Sequence, residues 1–172
     1  FAYLFQEPRL LPWLTIKKNI QIILENIYSK EDVNIITEKY LKKIGLIERK
    51  NDYPGKLSGG EKQRVAMARA FAYPAEILLL DEAFQSQDLK LRIKLMELFE
   101  ELLLENSRTV IMVTHDIREA FALADNILVL SGSPLKIVDT IINNSKQKNK
   151  SIIDRYLEPI EDVYNLEKKL LI

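Results

Sequence analysis

Two short apolar runs constrain this chain more than any other feature. One is ILLLDEAF, Ile77 to Phe84, and the other is TVIMVTHD, Thr109 to Asp116. Each is an uninterrupted apolar stretch that stops at a polar pair, Asp81-Glu82 in the first and Thr114-His115 in the second. A run that short, with no polar alternation, suits a strand covered on both faces, as in a parallel sheet. Between them, Leu89 to Glu105 carries the 3.6-residue period of a long amphipathic helix. Phe1 to Phe5, Ile127 to Leu130 and Leu135 to Thr140 read as further strands. Helical patterns run from Thr15 to about Leu46, with Gly45 placed to end the second helix, from Glu61 to about Ala72 ahead of Pro74, and from Ile117 to Leu123. Strands alternating with helices predict an α/β fold with a mostly parallel sheet.

At 172 residues the chain has the length of one ordinary domain. Lys and Arg total 25, and so do Asp and Glu, so any anion binding must be local rather than driven by net charge. Without cysteine there is no disulfide and no thiolate metal site. No apolar run is long enough to span a bilayer. The opening FAYLFQEPRLLPW lacks a basic start and is broken by Pro8 and Pro12, so it does not read as a signal peptide. It does not begin with methionine and already reads as strand interior, which predicts further sequence upstream. The layout expected is a domain over 1–140 with a helical region at about 15–57, a polar linker at 141–150 and a terminal amphipathic helix at 151–172.

Four places have the residue types for chemistry. In LSGGEKQR, Ser58 stands three residues before Glu61, a capping-box spacing that starts a helix. A helix N-terminus offers free N–H groups, and Gly59 and Gly60 let an anion approach them closely. The plain reading is a capped helix after a glycine turn. Asp81 and Glu82 end a buried strand where open α/β sheets bind ligands. Asp81 suits Mg²⁺ held through its water shell, and Glu82 suits a general base or an orienter of the attacking water. A strand leaving into a polar turn is the plain alternative. His115, the sole histidine, follows a buried strand at the same sheet edge, where it can hold a terminal phosphate or its water. A packing or surface role is the commoner fate of a lone histidine. Gln6, just after the first strand, can offer an amide oxygen to Mg²⁺, or stand as a solvated loop residue.

Taken together and in order, these residues resemble the ATP-binding-cassette (ABC) transporter ATPases. Gln6 matches that family's Q-loop, Leu57 to Arg64 its signature, Ile77 to Glu82 its Walker B strand, Asp88 its D-loop aspartate and His115 its switch histidine. FQEPRLLPWLT and LVLSGSPLKIV look most like importers of nitrate, sulfonate, taurine and similar small anions or organics. The resemblance implies a P-loop NTPase-like, mostly parallel sheet flanked by helices, with a helical subdomain. It also implies ATP and Mg²⁺, with Glu82 and His115 catalytic and Asp81 and Gln6 at the metal. Two domains pair head to tail in this family, so Ser58, Gly59, Gly60 and Glu61 would face a partner's nucleotide, with Asp88 at the dimer interface.

The resemblance breaks at the phosphate loop G-x-x-x-x-G-K-[ST]. The glycines are 45, 55, 59, 60 and 132; Gly55 and Gly60 have the right separation, but Glu61 occupies the lysine's place. The family's loop lies upstream of the Q-loop, so the expectation is a chain lacking the N-terminal part of the domain. Ala83 replaces the usual proline after Asp-Glu, and Gln85-Ser86-Gln87-Asp88 keeps only the aspartate of the D-loop cleanly. The function implied is that of an ATPase subunit coupling hydrolysis to import of a small anion or organic solute, peripheral on the cytoplasmic face of the membrane. Its partners would be a second ATPase subunit, alike or different, permease subunits and a substrate-binding protein, with no nucleic acid. The alternative is a non-catalytic subunit that lends its signature to a partner's site. A soluble cassette ATPase of ribosomes or DNA would carry tandem domains or basic extensions, which this chain does not show.

Overall fold

The computed structural model describes residues 1–85, 88–143 and 150–157. The chain forms two compact units, Phe1–Val113 and Thr114–Ile172. In the first, β1 (Ala2–Leu4), β2 (Ile77–Asp81) and β3 (Thr109–Val113) form a parallel sheet in the order β1-β2-β3. The register pairs Leu4 with Leu80, and Asp81 with Val113. All three strands therefore end together, and the residues that follow β1 and β2 leave the sheet at one edge.

One face of this sheet is packed. Leu4, Leu78 and Leu80 are buried there, and the helices contribute buried Met67 and Phe71 from α3 (Gly59–Ala72) and Leu95, Met96 and Phe99 from α4 (Leu89–Glu105). The opposite face leaves Tyr3, Ile111 and Val113 exposed. β3 is thus not covered on both faces among the described residues, contrary to the expectation from its apolar run. Strand side chains alternate with period 2, and a helical layer on one face buries only every second residue.

The helical region predicted from Thr15 to about Leu46 holds two helices, as its pattern implied. Thr15 caps α1 (Ile16–Gln21), and Ser29 caps a separate α2 (Lys30–Lys43). Ser29 holds an extended backbone, ψ 157°, and its side chain accepts from Asp32 N, so a new helix starts there instead of the first continuing. Gly45, at φ +67°, ends α2 as expected. Fully buried Asn19 fastens the preceding loop: its Oδ1 accepts from Leu11 N, and its Nδ2 faces the carbonyls of Leu11, Leu14 and Thr15. Short 3₁₀ turns at Ile47–Arg49 and Pro54–Lys56 lead to α3. The far end of α3 is held by Tyr40 Oη and Arg108 Nη2, both donating to Phe71 O, at 2.9 and 2.7 Å.

The second unit contains α5 (Ile117–Leu123), β4 (Asn126–Ser131), β5 (Lys136–Ile142) and α6 (Ile152–Leu157). β4 and β5 pair antiparallel with a bulge at Val129/Leu130, so these two strands do not join the parallel sheet. Their connection is only a short turn around Gly132, at φ +88°, which suits an antiparallel pair and is far too short for a parallel crossover. Phe121 and Val129 form the core, with Ile117, Ile127 and Ile141 against them. Of the predicted linker and terminal helix, residues 144–149 and 158–172 lie outside the described residues. Among the described residues, no helix is long and apolar enough to cross a membrane.

Candidate active site

The carboxyl edge of the parallel sheet carries three of the predicted residues. Gln6 is exposed two residues beyond β1, and Asp81 is the exposed last residue of β2. Asp81 Oδ2 accepts from Tyr3 Oη at 3.3 Å, a contact from the neighbouring strand that steadies the carboxylate. Glu82 follows with its backbone at φ +47°, a left-handed conformation uncommon for a residue with a Cβ. Its N–H donates to Val113 O at 3.0 Å, and its carbonyl accepts from Gln85 N at 3.2 Å. Glu82 is therefore fixed on both sides in a strained backbone, a state that persists only where the surroundings enforce it.

Among the described residues, no cluster of three or more His, Cys, Asp and Glu side chains is arranged to cage a metal. The donors fit the alternative mode, in which Mg²⁺ takes one carboxylate and completes its shell with waters and substrate phosphates. Asp81 fits as that carboxylate, and Gln6, leaving the sheet at the same edge, fits as a neutral oxygen donor.

The signature segment forms a helix start with both halves of a capping box. Ser58 Oγ accepts from Glu61 N at 3.3 Å, and Glu61 Oε2 accepts from Ser58 N at 2.8 Å. Helix α3 therefore begins at Gly59, two residues ahead of the expected Glu61. Gly59 is exposed, whereas Gly60 is buried, and a Cβ there would lie 2.5 Å from Leu91 Cδ2. Gly60 thus serves close helix packing as well as any approach by an anion. Glu61 is occupied: its Oε1 accepts from Arg49 Nη1 at 2.6 Å, and Arg49 also holds Asp52 and Lys56 O. The Ser58 N–H, aided by Arg49 and opposed by partial desolvation, keeps the Glu61 carboxyl below the usual carboxylate range.

A depressed carboxyl pKa stabilises the fold above the unfolded pKa, and that contribution is lost as pH falls through the folded value. Glu61→Gln should therefore flatten the loss of stability below about pH 4.5. Denaturant midpoints of the variant and the parent compared from about pH 6 to about pH 3 check this. An unchanged acid limb would contradict it.

Asp88 caps α4, its Oδ1 accepting from Leu91 N at 3.1 Å. Ser86 and Gln87 lie outside the described residues. His115 is exposed in the second unit, ahead of α5, whose N-cap is Asp116. Beside it Thr114 Oγ1 donates to Glu119 Oε2 at 2.8 Å and accepts from Asp116 N at 3.0 Å, which fixes the turn carrying the histidine.

Two residues of α3 that sequence reasoning passed over draw the first unit's edge together. Gln63 Nε2 faces Ala83 O at 2.6 Å and Phe5 O at 3.2 Å, the carbonyls next to Glu82 and Gln6. Arg69 donates to Pro8 O and Arg9 O at 3.1 and 3.0 Å. The one sequence signal was a glutamine on the apolar, buried side of a helix, where Met67 and Phe71 also lie.

Residues 1–85 match the model of a family described as ABC transporter. An aliphatic sulfonates import ATP-binding protein, SsuB 1 of Mesorhizobium japonicum, is 41% identical over 135 residues, covering 78% of this chain and 51% of that protein. SsuB of Burkholderia pseudomallei is 42% identical over 127 residues, covering 74% of this chain and 37% of its own. The chain thus spans about half, or less, of the curated relatives it matches. Among solved structures, it is similar to the ATP-binding cassette MJ0796, a dimer in a post-hydrolysis state bound to ADP and Pi. There the TM-score is 0.67 at 32% identity, covering 82% of this chain and 62% of the other.

Proposed function

Because the chain belongs to the ABC transporter family, we propose that it is part of an ATP-hydrolysing subunit that drives import of a small anion or organic solute. An aliphatic sulfonate is the first solute to test, since the sulfonate-import proteins above cover most of the chain. The observation that carries this reading is the sheet edge, where parallel register aligns Gln6, Asp81 and Glu82 at the ends of neighbouring strands.

In this reading Asp81 and Gln6 hold magnesium on the nucleotide, and the bound ion supplies neutralisation of phosphate charge. Glu82, locked by its backbone bonds, accepts the proton of the attacking water or orients it. His115 steadies the terminal phosphate or the developing charge. Ser58, Gly59 and Gly60 present the α3 N-terminus to a nucleotide on a second ATPase subunit, so they act in trans, with Asp88 at that interface. Glu61 supports this helix start by its capping box and its pair with Arg49. The helical region at about 15–57 couples closure of the pair to permease subunits, and the assembly sits on the cytoplasmic face of the membrane with a substrate-binding protein supplying the solute. A non-catalytic subunit finds no support in the relatives, whose names read ATP-binding protein.

The test is hydrolysis. The full-length protein should turn over ATP with a requirement for magnesium, and residues 1–172 alone should not, since Glu61 occupies the only lysine position that the glycine spacing offers. Magnesium-dependent turnover by the isolated chain that vanishes with Glu82→Gln would overturn the second expectation. An inert full-length protein would overturn the first.

A further inference from the structure

Gln63 has no polar surface to serve. It is fully buried in α3, five residues past Ser58, yet its amide nitrogen faces two backbone carbonyls from two different strand exits. One belongs to Phe5, beside Gln6, and the other to Ala83, beside Glu82. Among the described residues its Oε1 has no hydrogen-bond partner. Turning the amide over would bring that oxygen against both carbonyls, so the donor orientation is the one the site permits. A buried glutamine with an unmatched oxygen is costly, and leucine or methionine would fill the space without that cost. Packing therefore does not explain the residue; the two bonds from Nε2 do.

We infer that Gln63 is a positioning residue: it clamps the exits of β1 and β2 to the signature helix and so sets Glu82 and Gln6 relative to Ser58. The inference rests on the functional reading above. Ala83 O is the first carbonyl after the left-handed Glu82, whose own N–H is pinned to Val113 O. Gln63 fixes the chain on the far side of that residue, so the Glu82 carboxylate is aimed by bonds on both flanks. Arg69, two turns further along the same helix, holds the continuation of the first loop at Pro8 and Arg9, with the Arg9 guanidinium over the Phe5 ring at 3.8 Å. A displacement of the α3 N-terminus by a partner's nucleotide is thereby passed to the residues that act on this subunit's own nucleotide. One helix links the site served in trans to the site served in cis.

The test is the ATP dependence of hydrolysis by the full-length protein and its Gln63→Leu variant. Losing the clamp misplaces Glu82 without removing a group that touches nucleotide. The expected result is kcat lower by about tenfold to a hundredfold and KM for ATP within about twofold, with a lower melting temperature because Phe5 O and Ala83 O lose their donor. A residue needed only for packing would lower the melting temperature as well but leave kcat per folded protein unchanged. Gln63→Met, unbranched and of similar length, gives the same comparison if leucine prevents folding. A kcat within about threefold of the parent, or a loss seen only in KM, overturns the inference while the functional reading stands. A parent protein that hydrolyses no ATP overturns both.

Discussion

Glu82→Gln in the full-length protein lowers kcat for ATP hydrolysis by about 10²- to 10⁴-fold, the usual contribution of a positioned acid–base group. The change removes one charge and the proton acceptor and keeps the side chain's shape. It leaves untouched what holds the residue, since the bonds to Val113 O and from Gln85 N are made by backbone. ATP affinity should accordingly stay within a few fold, and the lesion should appear in single-turnover hydrolysis. A second substitution separates the carboxylate from its strained backbone. Glu82→Gly loses the same chemistry but relieves the left-handed conformation at φ +47°, worth about 1–2 kcal/mol for a residue with a Cβ. Glycine's greater unfolded-state freedom offsets about 0.5–1 kcal/mol of this, so stability should not fall while activity does. A Glu82→Gln protein retaining more than a tenth of the parent's kcat would remove Glu82 from the role of base and leave it as a structural turn residue.

What could be read from the sequence was whatever depends on a local pattern. α4 begins and ends as expected, at Leu89 and Glu105, because the apolar period that marked it holds throughout; the structure adds that Asp88 caps its first turn. β2 and β3 were legible because few structures besides a sheet accommodate ILLL and TVIMV ahead of polar pairs. Failures arose wherever a distant partner decides. The apolar run of β3 carries no mark of which face will be open, so Ile111 and Val113 could not be told from core. At the site, Asp81 and Glu82 announced themselves by type and place. Gln63 did not, because its partners are two main-chain carbonyls 58 and 20 residues away in sequence, and a carbonyl has no letter. The pairing of Glu61 with Arg49 was hidden for a related reason: the capping box was visible, but the cation twelve residues earlier was one of many.

Phe99→Ala should be the most damaging single truncation in the first unit, costing about 3–5 kcal/mol of unfolding free energy. Phe99 is 2% exposed and meets two other buried rings edge-on, Phe71 at 5.6 Å and Phe84 at 5.7 Å. These rings come from α4, α3 and the turn after β2, so a single side chain joins three segments that share no continuous backbone. Removing it leaves a cavity and two aromatic contacts unmade, each worth about 0.5–1.5 kcal/mol beyond burial. The surroundings have little freedom to collapse, since Phe71 is held through its carbonyl by Tyr40 and Arg108. Phe99→Leu retains most of the volume and should cost only about 1 kcal/mol. Denaturant unfolding of the full-length protein, followed by a probe in the first unit, measures the difference. The consequence extends to the site because Phe84 stands two residues beyond Glu82 and anchors the turn from the other end to Val113. At temperatures where Phe99→Ala remains folded, its kcat should therefore fall while its KM for ATP holds, and Phe99→Leu should recover both stability and turnover. A loss below about 1 kcal/mol for Phe99→Ala would show that α3 and α4 support the turn by their backbones alone, and that the three rings merely fill space.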